Sequence, residues 1–278
     1  MGRTIVLNSS NITGTGNNTF VYTFPQGQAA FKEGDQIALS FLSLYYSWNN
    51  ITNGSNSNFS YKWTDGTSVS VSLPSGFYQV SDLNAYLQSI MYTNNHYLYN
   101  TSTGAYLYYI EFAENTVYYS VQLNVYAVPT SLPSGYSLPS GATWSLPGTA
   151  TTPQVTIPSS ASISGIIGFA ANTYPSSTQT STYSTTSTST PVVTPISSVL
   201  VTCDMVKNPW ATPQGMIYAF SPDADYGSLI TVRPQNIVFN DIFPGTYSSV
   251  TIKFWDNSFN PLTIQDSGTV IMLDIEPK

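Results

Sequence analysis

The chain has 278 residues, of which 41% are hydrophobic and 8% are charged, and its formal net charge is −7. The hydrophobic share is enough for a core, but charged residues are far below the roughly 25% of ordinary soluble domains. The 7 basic residues are scattered along the chain, which excludes the clustered basic surface needed to bind a nucleic-acid backbone directly.

So few charges also predict weak repulsion between copies of the chain, and therefore a tendency to associate. The N-terminal residues contain only a short apolar run, which does not resemble a signal peptide. Val6 stands where a myristoylation signal has Ser or Thr. No apolar stretch is long enough to span a bilayer, so we expect no membrane anchor.

The first strong strand signals lie in the N-terminal fifth of the chain. Alternating residues predict a strand at 18–24, and a longer one runs from residue 34 to residue 48. In the longer strand Ile37, Leu39 and Phe41 share one face. The opposite face is also apolar further on, with Leu42, Leu44, Tyr46 and Trp48. We expect the sandwich interior and a helix, or an adjacent subunit, to cover this second face.

Further strands follow at regular intervals. NFSYKW and TSVSVSL are joined by Asp65-Gly66, a dipeptide typical of hairpin turns. Two more strands flank the corner at 113–115, and five others lie between residue 196 and the C-terminus. Residues 82–92 have helical periodicity instead, with Ser81 as the expected N-cap and Asp82 in the first turn.

Two segments, at about 130–153 and 173–191, lack periodicity and are predicted to be irregular surface loops. The second is rich in Ser and Thr, so it is either mobile or lies flat against a neighbour. Many short strands, one short helix and loops of uneven length predict an all-β fold, a single jelly-roll sandwich. No change in composition divides the chain, so one domain over 1–278 is expected.

Residues suited to catalysis or metal binding are scarce. His96 is the only histidine and Cys203 the only cysteine, which is too few for a zinc site. Cys203 lies in a predicted strand and is expected to be a buried thiol. No nucleophile motif accompanies His96. We therefore predict no catalytic residues, no metal and no cofactor.

Two pairs of carboxylates are candidates for acid/base catalysis, since many glycosidases are rich in β-structure. Glu111 and Glu114 flank a hairpin corner, and Asp223 and Asp225 lie in SPDADYG. Either pair could act as acid and base, but both are better explained as solvated turns. The second pair lacks the downstream Glu of a calcium loop.

Aromatic residues make up 14% of the chain, including 21 tyrosines. Tyrosine and tryptophan are favoured in cores and interfaces because a large ring buries area while its polar atom stays hydrogen-bonded. Glycan-binding surfaces use the same residues. Composition leaves both roles open.

The order of these segments resembles a known family. The stretches TFVYTFP, GDQIALSFLSLYYSWNNI, VSLPSGFYQVSDLNAYLQSIM and FWDNSFNPL together are similar to the penton, or vertex, capsid proteins of virophages, polinton-like viruses and related large DNA viruses of eukaryotes. The resemblance covers nearly the whole chain, and the ordered set carries it rather than any single motif.

The resemblance implies a structural protein without catalysis. It implies a homopentamer at the fivefold vertices of an icosahedral virion, assembled inside the host cell and bordered by double-jelly-roll major capsid proteins. A related single-jelly-roll minor capsid protein is an alternative within the same class. On this basis Tyr45, Tyr46 and Trp48 are predicted to lie at or near a subunit interface.

A different class of function stays open. The chain could be a glycan-binding β-sandwich module, or a fibre or attachment protein whose partner is a receptor glycan. A β-sandwich glycosidase or lyase is the least favoured reading, because it requires two carboxylates facing each other in a cleft.

Overall fold

The computed structural model describes residues 2–278. Contacts within this range divide it into two compact units, called unit 1 and unit 2 below. Unit 1 comprises the chain up to Trp48 together with Ile196–Lys278, and unit 2 comprises Asn49–Pro195. Within the described residues, no helix is both long and apolar enough to cross a bilayer.

The elements follow one another in three groups. Unit 1 begins with strands β1 (Arg3–Leu7), β2 (Thr19–Thr23), β3 (Ala29–Phe31) and β4 (Gln36–Tyr45), with a short 3-10 helix at Ser9–Asn11. Unit 2 contains β5 (Asn58–Lys62), β6 (Ser68–Ser72), α1 (Val80–Thr93), β7 (Leu98–Asn100), β8 (Tyr106–Leu107), β9 (Ile110–Asn115), β10 (Ser120–Val125), β11 (Tyr136–Ser137), β12 (Gln154–Ile157), α2 (Ser164–Ile167), β13 (Asn172–Tyr174) and β14 (Tyr183–Thr186). Unit 1 then resumes with β15 (Val199–Cys203), β16 (Val206–Lys207), β17 (Met216–Phe220), β18 (Leu229–Val232), β19 (Asn240–Ile242), β20 (Gly245–Tyr247), β21 (Ser249–Trp255) and β22 (Val270–Glu276).

Unit 1 is a jelly roll. One sheet has the order β1-β22-β4 with β18 beside β4, and the other has the order β2-β21-β15-β17. Taken along the chain, the first of these eight strands pairs with the last, the second with the seventh, the third with the sixth and the fourth with the fifth, all antiparallel. This nested pairing is the topology of a jelly roll, so the predicted fold class is confirmed.

The core of unit 1 comes from alternate residues of both sheets. Phe20 and Phe254 are fully buried and meet edge to face with ring centroids 5.7 Å apart, a favourable aromatic geometry. On the other sheet Leu273 is fully buried beside Leu39 on the neighbouring strand. Cys203 is buried in the same unit, as expected from its place in an apolar strand.

A β-bulge at Ser40 explains the two apolar faces of β4. Leu39 pairs with Leu273, and Phe41 pairs with Met272, the residue next to Leu273. Ser40 therefore has no partner on β22 and is the extra residue of the bulge. The extra residue shifts the alternation by one position. Ile37 and Leu39 therefore point inward before the bulge, and Leu42 and Leu44 point inward after it.

Beyond the bulge, Phe41 lies on the outer face and is only partly buried. The guanidinium of Arg233 lies 5.4 Å from the centroid of its ring. The large buried residues of β4 thus share one inward face, and on the opposite face only the small Ala38 is fully buried.

Unit 2 has a core of its own. It contains the sheet β13-β12-β5-β6, the sheet β14-β10-β9 and the small sheet β11-β7-β8. The β5–β6 hairpin forms at Asp65-Gly66 as predicted, with Gly66 at φ +93°. Helix α1 buries one side against this core through Val80, Leu83, Leu87 and Met91.

The predicted helix is confirmed, but it is longer than 82–92, and the prediction of Ser81 as its N-cap is wrong. The N-cap is Gln79 and not Ser81. The Asp82 carboxylate accepts a hydrogen bond of 2.9 Å from the Gln79 backbone N–H, which is half of a capping box. The acidic residue therefore fixes the start of the helix two positions earlier than expected.

The Ser/Thr-rich segment 173–191 is not uniformly irregular. It carries the end of β13 and all of β14, and β14 pairs with β10 from Gln122 to Val125. Ser189 is held near Gly168 by a backbone hydrogen bond of 3.1 Å. A Cβ on Gly168 would collide with the Ser189 carbonyl oxygen, so glycine is required there. The segment lies flat against its own chain.

Segment 130–153 contains only the two residues of β11 as strand. The jelly-roll strands all belong to unit 1, whereas the sequence predicted one jelly-roll domain over 1–278 without a second unit. A single folding domain stays a prediction, because two compact units can unfold together or separately.

Candidate interaction surfaces

The three predicted interface residues occupy different environments in unit 1. Tyr45 is 37% exposed, whereas Tyr46 and Trp48 are 6% and 2% exposed. The rings of Tyr46 and Trp48 lie 4.5 Å apart, and burial raises the pKa of the Tyr46 phenol. Of the three, only Tyr45 offers a side chain to a partner, and its interface role stays a prediction.

Tyr45 lies beside the edge strand β18 of the jelly roll. Leu229 of β18 pairs directly with it, and Leu229 is 48% exposed. Directly opposed residues of neighbouring strands share a face, so these side chains are adjacent on the outer face. The next pair, Ile230 and Leu44, points inward and is buried.

The chain continues along this edge after β18. Both β18 and β19 pair with β4 on the side away from β22, so the connecting segment follows the same side. It carries Ile237 and Val238, which are exposed. We call Tyr45 and Leu229 the edge surface. An edge strand in a monomer is usually protected by charges, whereas here the charge that follows β18, on Arg233, lies over Phe41 and Leu229 stays exposed.

Trp210 is the most exposed aromatic residue of unit 1. It lies in the loop between β16 and β17 and is 96% exposed. Its backbone N–H donates a hydrogen bond of 3.2 Å to the Asn208 side chain, which shapes the loop while leaving the indole uncovered. Tryptophan is the residue most enriched among the energetic anchors of protein interfaces.

Unit 2 carries a cluster of five tyrosines, Tyr92, Tyr97, Tyr99, Tyr106 and Tyr108, which we call the tyrosine cluster. Tyr92 stacks on Tyr97 at 5.3 Å, and Tyr106 meets both edge-on at 5.3 and 5.1 Å. Tyr92 and Tyr106 are each about half exposed. Charge repulsion from Tyr92 raises the pKa of Tyr106, so the Tyr106 phenol stays neutral at neutral pH. The cluster is an uncharged aromatic surface.

His96, the only histidine of the chain, is packed in the core of unit 2. His96 is buried, stacks on Trp63 at 4.7 Å, and has its Nδ1 atom 2.8 Å from the Tyr61 hydroxyl. Burial lowers the pKa of the imidazole to about 4. A neutral ring accepting a hydrogen bond from Tyr61 is therefore part of the core of unit 2.

We expect stability to fall as the pH is lowered, because His96 must be neutral in the folded chain. Its pKa rises from about 4 when folded to roughly 6.5 when unfolded. The unfolded chain therefore binds the proton first as the pH falls below 6.5. Between pH 7 and pH 5 the free energy of unfolding should decrease by about 2 kcal/mol.

Chemical denaturation at the two pH values measures this change. His96→Gln, which keeps an acceptor for Tyr61, serves as the control and should lose most of the decrease. An equal decrease in both proteins would assign the pH dependence to other groups.

The other residues that could take part in catalysis are either buried or hydrogen-bonded to neighbouring side chains. Burial raises the pKa of the Cys203 thiol to about 12, which makes it inert at neutral pH. The Glu111 carboxylate accepts hydrogen bonds from Asn124 and Tyr126, and does not act with Glu114 in a shared site. Within the described residues, no group of three or more His, Cys, Asp or Glu side chains could hold a metal ion.

These features define a single-jelly-roll sandwich with a second unit inserted between its third and fourth main strands. Among solved structures, the chain is similar to the mavirus penton protein, crystallised in selenomethionine-labelled form. The identity is 11%, the match covers 99% of this chain and 98% of that chain, and the TM-score is 0.43. No family model and no curated protein matches the chain.

Proposed function

We propose that this chain is a structural viral capsid protein, a penton that forms homopentamers at the fivefold vertices of an icosahedral virion. It assembles inside the host cell and borders the double-jelly-roll major capsid protein. The sequence resemblance supports this class of function, and the jelly-roll topology of unit 1 is compatible with it. The proposal gives the chain no catalytic role, no cofactor and no direct contact with nucleic acid.

The observation that carries the proposal is the edge surface. Apolar side chains on an unprotected sheet edge are a liability for a protein that stays monomeric. They are stabilising when a second copy covers them, because burial of apolar area is the main driving force of association. With 8% charged residues, little electrostatic repulsion opposes contact between copies.

A closed ring is compatible with more than one exposed apolar feature on unit 1. Head-to-tail contacts in a ring join different surfaces of neighbouring subunits. The edge surface can serve as one of them and the Trp210 loop as the other. A two-fold dimer would need only one self-complementary patch.

The mass of the purified chain tests the proposal. Native mass spectrometry at micromolar concentration should give a species of five chain masses. Because few charges are available to be screened, the pentamer should persist when the salt concentration is raised. A monomer over the whole concentration range, or a stable trimer, would contradict the proposal.

A glycan-binding or attachment role is the second candidate. The tyrosine cluster favours it, because exposed rings without charged neighbours suit contact with the apolar faces of sugars. This role is compatible with a capsid vertex, where a receptor glycan or a fibre would be the outer partner.

A further inference from the structure

The tip of the β9–β10 hairpin in unit 2 is built from residues that a turn does not require. Four residues, 116–119, connect the two strands, and Val117, Tyr118 and Tyr119 are 83%, 76% and 73% exposed. Tyr119 has φ +49°. A tyrosine is unfavourable in this left-handed region, where turns normally place Gly or Asn. The strained position holds a large ring where turn chemistry favours a small residue, which suggests a function for the ring.

Beside this tip is a groove of about 360 Å³, formed entirely by unit 2. This is the small end of the range of roughly 300–1,000 Å³ for ligand sites. Tyr119 lines one part of the groove, and the buried residues Val80 and Val121 give it apolar lining. The groove therefore combines an aromatic ring with an apolar surface.

A polar group of the groove is available to a ligand. Glu114 lines the groove, and its carboxylate makes no ion pair or hydrogen bond with another described residue. An ionised carboxylate can only accept hydrogen bonds, so it selects a ligand that donates them.

The lining defines the chemical class of the ligand. No Lys, Arg or His lines the groove, and Glu114 is its one charged residue, so an anionic ligand is disfavoured. The other polar lining residues are neutral hydroxyls and amides, including Thr116 and Gln79. Such groups pair with ligand hydroxyls, which both donate and accept. We propose that this groove binds a neutral glycan, with the Tyr119 ring against a sugar face and the Glu114 carboxylate accepting hydrogen bonds from sugar hydroxyls.

This inference goes beyond assembly and does not depend on the oligomeric state. It locates the sugar at the hairpin tip rather than at the tyrosine cluster, because the groove provides concavity and an unpaired carboxylate as well as a ring.

The test is a glycan array that carries neutral, sialylated and sulfated glycans, probed with the labelled full-length chain. The wild type should bind neutral glycans. Tyr119→Gly removes the ring and also relieves the backbone strain, so it should melt at or above the wild-type temperature and still bind at least about tenfold more weakly. Glu114→Gln should weaken binding by a similar factor, because loss of a charged acceptor costs about that much.

Tyr118→Ala is the matched control, since Tyr118 is equally exposed in the same tip but does not line the groove. It should bind like the wild type. Absence of binding to any neutral glycan, preference for acidic glycans, or binding that survives both Tyr119→Gly and Glu114→Gln would overturn the proposal. An equal loss in Tyr118→Ala would also overturn it, because it would assign the contact to the tip and not to the groove.

Discussion

Deletion of Ser40 is expected to leave unit 1 folded, whereas deletion of Ser43 in the same strand is expected to destabilise it strongly. Ser40 is the extra residue of the bulge. Without it, Leu39 and Phe41 would pair with consecutive residues of β22, and every later side chain would keep its face. We expect this deletion to cost at most about 2 kcal/mol.

Ser43 lies after the bulge and pairs with Val270. Its removal turns Leu44, Tyr46 and Trp48 away from the core, because a shift by one residue exchanges the two faces of a strand. The chain could avoid this only by giving up the bulge, which would drive Phe41 inward in place of Leu42. Exposing a leucine and overpacking the core would still cost about 3–5 kcal/mol.

Chemical denaturation, combined with hydrogen exchange of the β4 and β22 amides, distinguishes the two deletions. Similar losses in both variants would show that the bulge is not the point where the alternation changes. A larger loss for the Ser40 deletion would show that the twist of the bulge itself is required.

Leu229→Lys is expected to prevent pentamer formation without unfolding the chain. Leu229 is 48% exposed, and substitutions at exposed positions usually change stability by less than about 0.5 kcal/mol. In an assembled ring the lysine would be buried without a partner. We expect the concentration at the midpoint of assembly to rise about 100-fold, as for loss of an interface anchor.

Val117→Lys is the control for this variant. Val117 is also apolar and exposed, but it lies in unit 2. Light scattering over a range of concentrations should show normal assembly for this control. If Leu229→Lys forms pentamers like the wild type, the edge surface is not the interface between subunits.

Much of the fold could be predicted from local patterns. The strands, the hairpin at Asp65-Gly66 and the helix all follow from periodicity and turn chemistry. The bulge could not be predicted in the same way, because it is defined by the pairing of β4 with β22, whose sequences are more than two hundred residues apart. Seen alone, β4 has two apolar faces, which is why Tyr46 and Trp48 are predicted at an interface. Both side chains are buried within this chain, and their interface role stays a prediction.

The two compact units cannot be recognised from local patterns for a related reason. Alternation indicates that a segment is a strand but not which sheet it joins. The strands at β5, β6, β9 and β10 have the same patterns as those of unit 1, yet they pair only within unit 2. The tyrosine cluster could not be predicted from the sequence either. Its rings come from α1, from the residues after it and from β7 and β8, and they meet only in the folded chain.

The inserted unit closes its own core, with Trp63, Phe112 and Ile167 among its buried residues. Its substitutions therefore need not disturb the nested pairing of the eight jelly-roll strands. The exposed residues of Asn49–Pro195 can therefore vary while the jelly-roll strands of unit 1 keep their pairing.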